Sequence, residues 1–266
     1  MKPEAYSAYN FLQQDATQRF ALCAFNEEMA TKLNFRRIAA ALLLFGISFG
    51  YVEAAVVVYL RTIYNPIRAR LHPGTAPNDL FPLITLPQLA AEKVPVQRLL
   101  PIEILREAAT LAMLIAAGLA VGRTGRQWTA AFVVAMGTWD IFFYVFLKVL
   151  TGWPASLLTW DILFLIPVPW AGPVLAPVLV ALSMVAGGLT LLRVEAGGVE
   201  FRAMGRHWAG LVVGAVIILT SFVWDAPTLM AGGMPHPFRW GVFALGEGIG
   251  IMSFLHAYRA NRVIKT

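Results

Sequence analysis

Charge is what this sequence has least of. Of its 266 residues only 14% are Asp, Glu, Lys or Arg, where a soluble domain carries about 25%. With 58% hydrophobic residues and a mean hydropathy of +0.66, the chain is suited to lipid as its main solvent. Cysteine is nearly absent. Cys23 stands alone, which excludes an intrachain disulfide and a cysteine-built zinc site. The sequence also has no H-E-x-x-H helix, no G-x-S-x-G elbow, no Walker loop, no paired intramembrane histidines and no arginine-rich voltage-sensor helix. Zincin, serine-hydrolase, P-loop, haem and voltage-sensing chemistries are thereby removed.

What is present is a series of apolar runs. Six are long enough for about 30 Å of hydrocarbon: Ile38 to Leu60, Pro101 to Gly122, Trp128 to Leu150, Gly172 to Leu192, Trp208 to Trp224 and Trp240 to Tyr258. The expected fold is an all-α integral membrane protein of six transmembrane helices. Residues 38–258 form its bundle, between an N-terminal segment 1–37 and a tail 259–266. Basic residues cluster at alternate ends: Lys32, Arg36 and Arg37; Arg123 and Arg126; Arg193, Arg202 and Arg206; Arg259, Arg262 and Lys265. The positive-inside rule places these, and both termini, on the cytoplasmic side of an inner membrane. That rule accounts for the pI near 9.7 without nucleic acid as a partner. The loop 61–100 also carries basic residues, but long loops translocate with less regard to charge.

No cleavable signal peptide is evident, because the first apolar run begins at Ile38 and is long enough to span. Before it, Tyr9, Leu12, Ala16, Phe20 and Cys23 recur at helical spacing, which suits an interfacial amphipathic helix. A start at Met29, with residues 1–28 as an extension, fits equally well.

Proline marks two irregular regions. Pro66, Pro73, Pro77, Pro82, Pro87 and Pro95 fall in the 61–100 loop, which is expected to be non-helical and to cap the outer face. Pro154, Pro167, Pro169, Pro173 and Pro177 break the apolar stretch before the fourth span. There the expectation is a re-entrant or half-length helix over Leu157 to Ile166, with a seventh crossing as the alternative. Irregular backbone in a bilayer must be buried in protein or line a polar cavity. The tetrapeptide Thr138-Trp139-Asp140-Ile141 recurs at Thr159-Trp160-Asp161-Ile162, too short a match to establish a repeat.

The acids carry the functional signal. Glu53, Glu103, Glu107, Asp140 and Glu247 lie within or at the start of spans, and Asp161 lies in the broken segment. Ionisable groups at such depth are costly and mark functional sites by default. Glu103, Glu107 and Thr110 share one helix face, as do Gly46, Gly50 and Glu53. The GxxxG pair Gly46/Gly50 would admit a close neighbour and carry Glu53 inward, and Gly246/Gly250 repeat the pattern beside Glu247. Tyr144, one turn from Asp140, is placed to hydrogen-bond to it. Candidate binding residues are therefore Glu53, Glu107, Asp140, Tyr144, Asp161 and Glu247. Against each stands a structural role: Arg106 between Glu103 and Glu107 suggests an interfacial ion-pair network, and Asp225 and Asp161 suit an interface. His256 falls on the opposite face from Glu247, and His207 suits an interfacial position. His72 and His236, in the outer loops, are the histidines within reach of the acids.

The runs Thr138 to Lys148, Gly152 to Asp161 and Phe164 to Trp170, with Arg106-Glu107-Ala108-Ala109-Thr110 and Gly50-Tyr51-Val52-Glu53-Ala54-Ala55, resemble a group of bacterial multispan inner-membrane proteins that carries no assigned function. The resemblance implies a bacterial membrane origin and nothing of mechanism. From the residues, three readings stand. The first is an outward-facing acidic cavity for a cation, a proton or a cationic solute, as part of transport. The second is a membrane enzyme holding a divalent metal with carboxylates and His72 or His236. The third is a non-catalytic subunit whose acids contact a partner or fix helix packing. Metal and cofactor identity are not specified by the sequence.

Overall fold

The computed structural model describes residues 34–75, 79–92 and 96–263. The N-terminal amphipathic helix, the Met29 start, Cys23, Pro77 and Pro95 lie outside the described residues. Within them the chain is helical, and six helices are long and apolar enough to cross a membrane. This is the multispan all-α architecture expected from the apolar runs.

Helix α1 (Phe35–Leu71) opens on Asn34, whose side chain accepts from the Arg37 N–H at 3.2 Å. Its 37 residues extend about 55 Å at 1.5 Å per residue, well beyond a hydrocarbon core of about 30 Å. The helix does not stop near Leu60. It continues through Pro66, which has no N–H for the carbonyl one turn back, so the first third of the expected non-helical loop is helical. Beyond it, α2 (Leu86–Ala91) starts with a capping box: Thr85 accepts from the Gln88 N–H while the Gln88 side chain accepts from the Thr85 N–H at 2.8 Å. Helix α3 (Val96–Val121) starts before Pro101. Helix α4 (Gly125–Thr151) is capped by Thr124 and ends at Gly152, whose φ of 72° suits a left-handed C-cap.

The proline-broken segment departs from the half helix expected there. It is an antiparallel hairpin, β1 (Trp160–Phe164) and β2 (Trp170–Pro173), pairing Trp160 with Pro173, Asp161 with Gly172 and Ile162 with Ala171. Two features explain the difference. Ile166 and Val168 each precede a proline and are turned away from helical geometry, and the aromatic and β-branched residues of β1 suit a pleated pair. Helices α5 (Leu175–Ala196), α6 (Gly205–Val223), α7 (Ala226–Met230) and α8 (Trp240–Val263) complete the chain.

Small residues set the packing. A Cβ on Gly46 would stand 2.6 Å from Thr138 Cβ, and one on Gly50 2.9 Å from the Phe143 nitrogen, so α1 lies directly against α4. On the other side of α4, Gly137 and Gly188 allow equally close contact with α5. Leu114, Ala131, Val134, Ala135 and Leu192 are fully covered around α4. Helices α6 and α8 form their own close pair, with Gly214 against Gly246.

The two ends of the bundle differ. At one, Arg126 donates to Glu195 at 2.9 Å and to Glu200 at 3.0 Å, and Asn261 bonds the backbone of Arg202. This basic end gathers the short connections. The other is a cap: Arg68 donates to the carbonyls of Leu80 and Pro82 at 2.6 and 2.9 Å, while Phe81 packs edge-on against Trp160.

Candidate functional site

The intramembrane acids do not converge on one point. They divide into three groups and a separate pair. In the first group, Glu53 of α1 is buried and bonded to Arg106 of α3, which also donates to Glu103 at 2.8 Å. Thr110 Oγ1 lies 3.0 Å from Glu53 Oε1. No cation lies within one turn of Glu53 on its own helix; the partner comes from the neighbouring helix, which sequence spacing does not reveal. Of the network anticipated between Arg106, Glu103 and Glu107, the Glu103 pair is made, and Glu53 takes the place expected of Glu107.

In the second group, Glu107 turns away from Arg106 and receives the Leu165 N–H on both carboxylate oxygens, at 3.1 and 2.9 Å. Leu165 sits at the tip of the β1–β2 hairpin. Glu107 thus meets a backbone donor that the hairpin leaves free, a requirement where lipid offers no acceptor.

The third group carries Asp140, Tyr144 and Asp161. The expected bond from Tyr144 to Asp140 is not made. Instead Tyr144 donates to Asp161 Oδ2 at 3.0 Å, because β1 brings Asp161 against the buried phenol. Asp140 is partly covered on α4 and close enough to Asp161 for the two carboxyls to repel one another. Arg61, the residue directly after the expected end of the first span, completes the group. Its guanidinium lies over the Trp153 ring at 4.1 Å and acts on Asp161 through space. It makes no ion pair there, and its Nε and Nη1 are buried without a hydrogen-bond partner. An unpartnered buried polar group costs about 1–3 kcal/mol, more when charged. Asp161, on the hairpin and outside the six spanning helices, is 5% exposed. Burial pushes its carboxyl up to about 6, against the lowering effects of the Tyr144 hydroxyl and of Arg61.

Nearby aromatic rings leave further donors unused. Phe164 packs between Trp139 and Trp170, at 6.1 and 5.3 Å, and both indole N–H groups are buried and unpartnered, as is the hydroxyl of Thr138. Arg61 and Trp153 escaped the sequence-level candidate list because neither lies inside an apolar run. The recurrence of Trp-Asp at 139–140 and 160–161 touched the right residues, although it is no repeat: one copy is helical and the other is a strand.

Glu247 stands apart, bonded to Ser183 of α5. His236 pairs with Asp225, its Nδ1 2.9 Å from Oδ1 and its N–H donating to Oδ2 at 3.0 Å. His256 stacks beside His207 at 5.7 Å, away from the acids as expected. Among the described residues no three His, Cys, Asp or Glu side chains gather in a way that could hold a metal ion. No family model, curated protein or solved structure matches this chain.

Proposed function

We propose that this multispan membrane protein is a bacterial inner-membrane transporter in which Asp161 of the hairpin and Asp140 of α4 bind one positive charge as a proton that a cationic solute displaces. The observation that supports this most directly is the Asp140–Tyr144–Asp161–Arg61 group: two mutually repelling carboxyls and one guanidinium, enclosed together, with the guanidinium withheld from either acid. One net negative charge is left when all three ionise. A proton or a monovalent cation neutralises it, and enclosed charge of this kind is strongly disfavoured without neutralisation. Glu53 is already matched by Arg106 and Glu107 by a backbone donor, which leaves them positioning roles. The hairpin is non-helical backbone between α4 and α5, and such backbone at membrane depth is tolerated where it is buried in protein or lines a polar cavity. Both termini are assigned to the cytoplasm on the strength of the basic end.

The test is proton movement in liposomes reconstituted with the full chain and loaded with a pH-sensitive dye. An imposed pH gradient should be dissipated by wild type, should be largely retained with Asp161→Asn, and should be dissipated normally with Glu247→Gln. Cationic solutes added outside should drive proton release from wild type alone. Equal rates for wild type, Asp161→Asn and Asp140→Asn would overturn the proposal.

A further inference from the structure

We propose that the basic end of the bundle holds an anionic phospholipid, with its phosphate at Arg193 and a chain along the crevice between α5 and α8. A cavity of about 540 Å³ opens there, lined by Thr190, Arg193 and Val194 of α5 and by Tyr258 and Asn261 of α8. A second, of about 520 Å³, adjoins it on the other side of Arg193 and is flanked by Arg36 and Asn34 at the start of α1. Arg193 thus lines both hollows.

The charge balance at this end favours an anion. Its two acids among the described residues, Glu195 and Glu200, are both engaged by Arg126, and Glu200 also lies 3.6 Å from Arg202. Arg36 and Arg193 are exposed and form no ion pair among the described residues. Asn261 is spent on the backbone of Arg202 and Ala257, which leaves Arg193 to meet an anion.

Shape favours a lipid over a free anion. Beside Arg193 the cavity wall carries the apolar side chains of Val194 and Val199. An apolar wall beside a guanidinium suits an acyl chain joined to a phosphate, where a free anion would use the guanidinium alone. Basic pockets between helix ends suit phosphate headgroups, and each arginine near a membrane surface contributes about 1 kcal/mol, or roughly a fivefold change in affinity.

The experiment uses the full-length protein in nanodiscs of phosphatidylcholine alone, or of phosphatidylcholine and phosphatidylglycerol in equal parts, with retained lipid counted by native mass spectrometry. Wild type should carry phosphatidylglycerol out of the mixed discs in preference to phosphatidylcholine. Arg193→Gln and Arg36→Gln should each weaken retention roughly fivefold, Arg193→Lys should restore part of it, and Arg206→Gln, at the same end but outside both cavities, should leave it unchanged. Thermal midpoints of the variants in phosphatidylcholine discs control for folding. Four outcomes would overturn the proposal: no preference between the lipids, loss on Arg206→Gln equal to that on Arg193→Gln, unaltered retention on Arg193→Gln, or displacement of the lipid by millimolar inorganic phosphate.

Discussion

At the scale of the residue, Asp161 links the hairpin to the bundle through Tyr144, and its displaced titration makes that link pH-sensitive. Its folded-state carboxyl holds a proton to about pH 6, while an unfolded chain releases it near the ordinary value of about 3.9. Between those values the folded state binds more protons, so wild type should lose stability as pH rises from about 4 through 6. The loss is complete above the folded value and on the order of 3 kcal/mol. Thermal midpoints in detergent across that range should fall for wild type and stay flatter for Asp161→Asn; parallel curves would refute the assignment. Arg106 gives a prediction of a different kind. Removing it leaves the buried carboxyl of Glu53 without its cation, a change that costs about 3–5 kcal/mol. Arg106→Gln should therefore lower the midpoint strongly. Adding Glu53→Gln should recover much of the loss, and the double-mutant cycle measures the coupling. Additive losses would mean that the pair contributes no specific interaction.

At the scale of the element, the hairpin tests how irregular backbone survives among apolar helices. Its strands satisfy one another, and at the tip the Leu165 N–H is met by Glu107. Glu107→Gln keeps an acceptor but loses the charge assistance, a change of roughly 1 kcal/mol, whereas Glu107→Ala leaves the donor orphaned at about 1–3 kcal/mol. Hydrogen exchange at the 160–173 peptide should accelerate modestly in the first variant and more in the second, with no matching change at α4. If exchange is the same in all three proteins, Glu107 does not hold the tip. The six helices were legible beforehand because each is a run of apolar residues long enough to span. A close approach at Gly46/Gly50 was legible because small residues at one-turn spacing admit a neighbour, but that the neighbour is α4 was not. The hairpin was not. Short apolar segments with two prolines fit a half helix or a strand pair equally well, and only tertiary contacts with α3 and α4 choose between them. For the same reason the acids were found as a list but not as groups. Spacing along one helix suggested Tyr144 with Asp140, while Asp161 reaches the phenol from a strand whose position no helical periodicity encodes.

At the scale of the whole molecule, the arginines at the two ends are used differently, and the difference bears on orientation. Those of the cap end are folded back onto the protein: Arg68 onto the carbonyls of Leu80 and Pro82, Arg70 onto Glu92, and Arg239 over the Trp224 ring at 5.0 Å. At the basic end, Arg36 and Arg193 face outward without ion pairs among the described residues. Basic residues in short connections dictate which side stays in the cytoplasm, whereas those in a long loop cross with less regard to charge. The short connections around Arg123 and Arg202 lie at the basic end, and the long 61–100 stretch lies at the cap. The expected topology therefore has the basic end and both termini in the cytoplasm and the loop at Met234 outside. Single cysteines at Met234, Arg123, Arg202 and Thr266, in a Cys23-free background, provide the measurement with an impermeant thiol reagent on intact cells. Met234→Cys should label without permeabilisation, and the other three only after it. An even number of crossings requires the C-terminus and the Arg123 connection to respond alike. External labelling at Thr266→Cys with protection at Arg123→Cys would reject six crossings, while complete reversal of the pattern would keep the fold and invert the protein in its membrane.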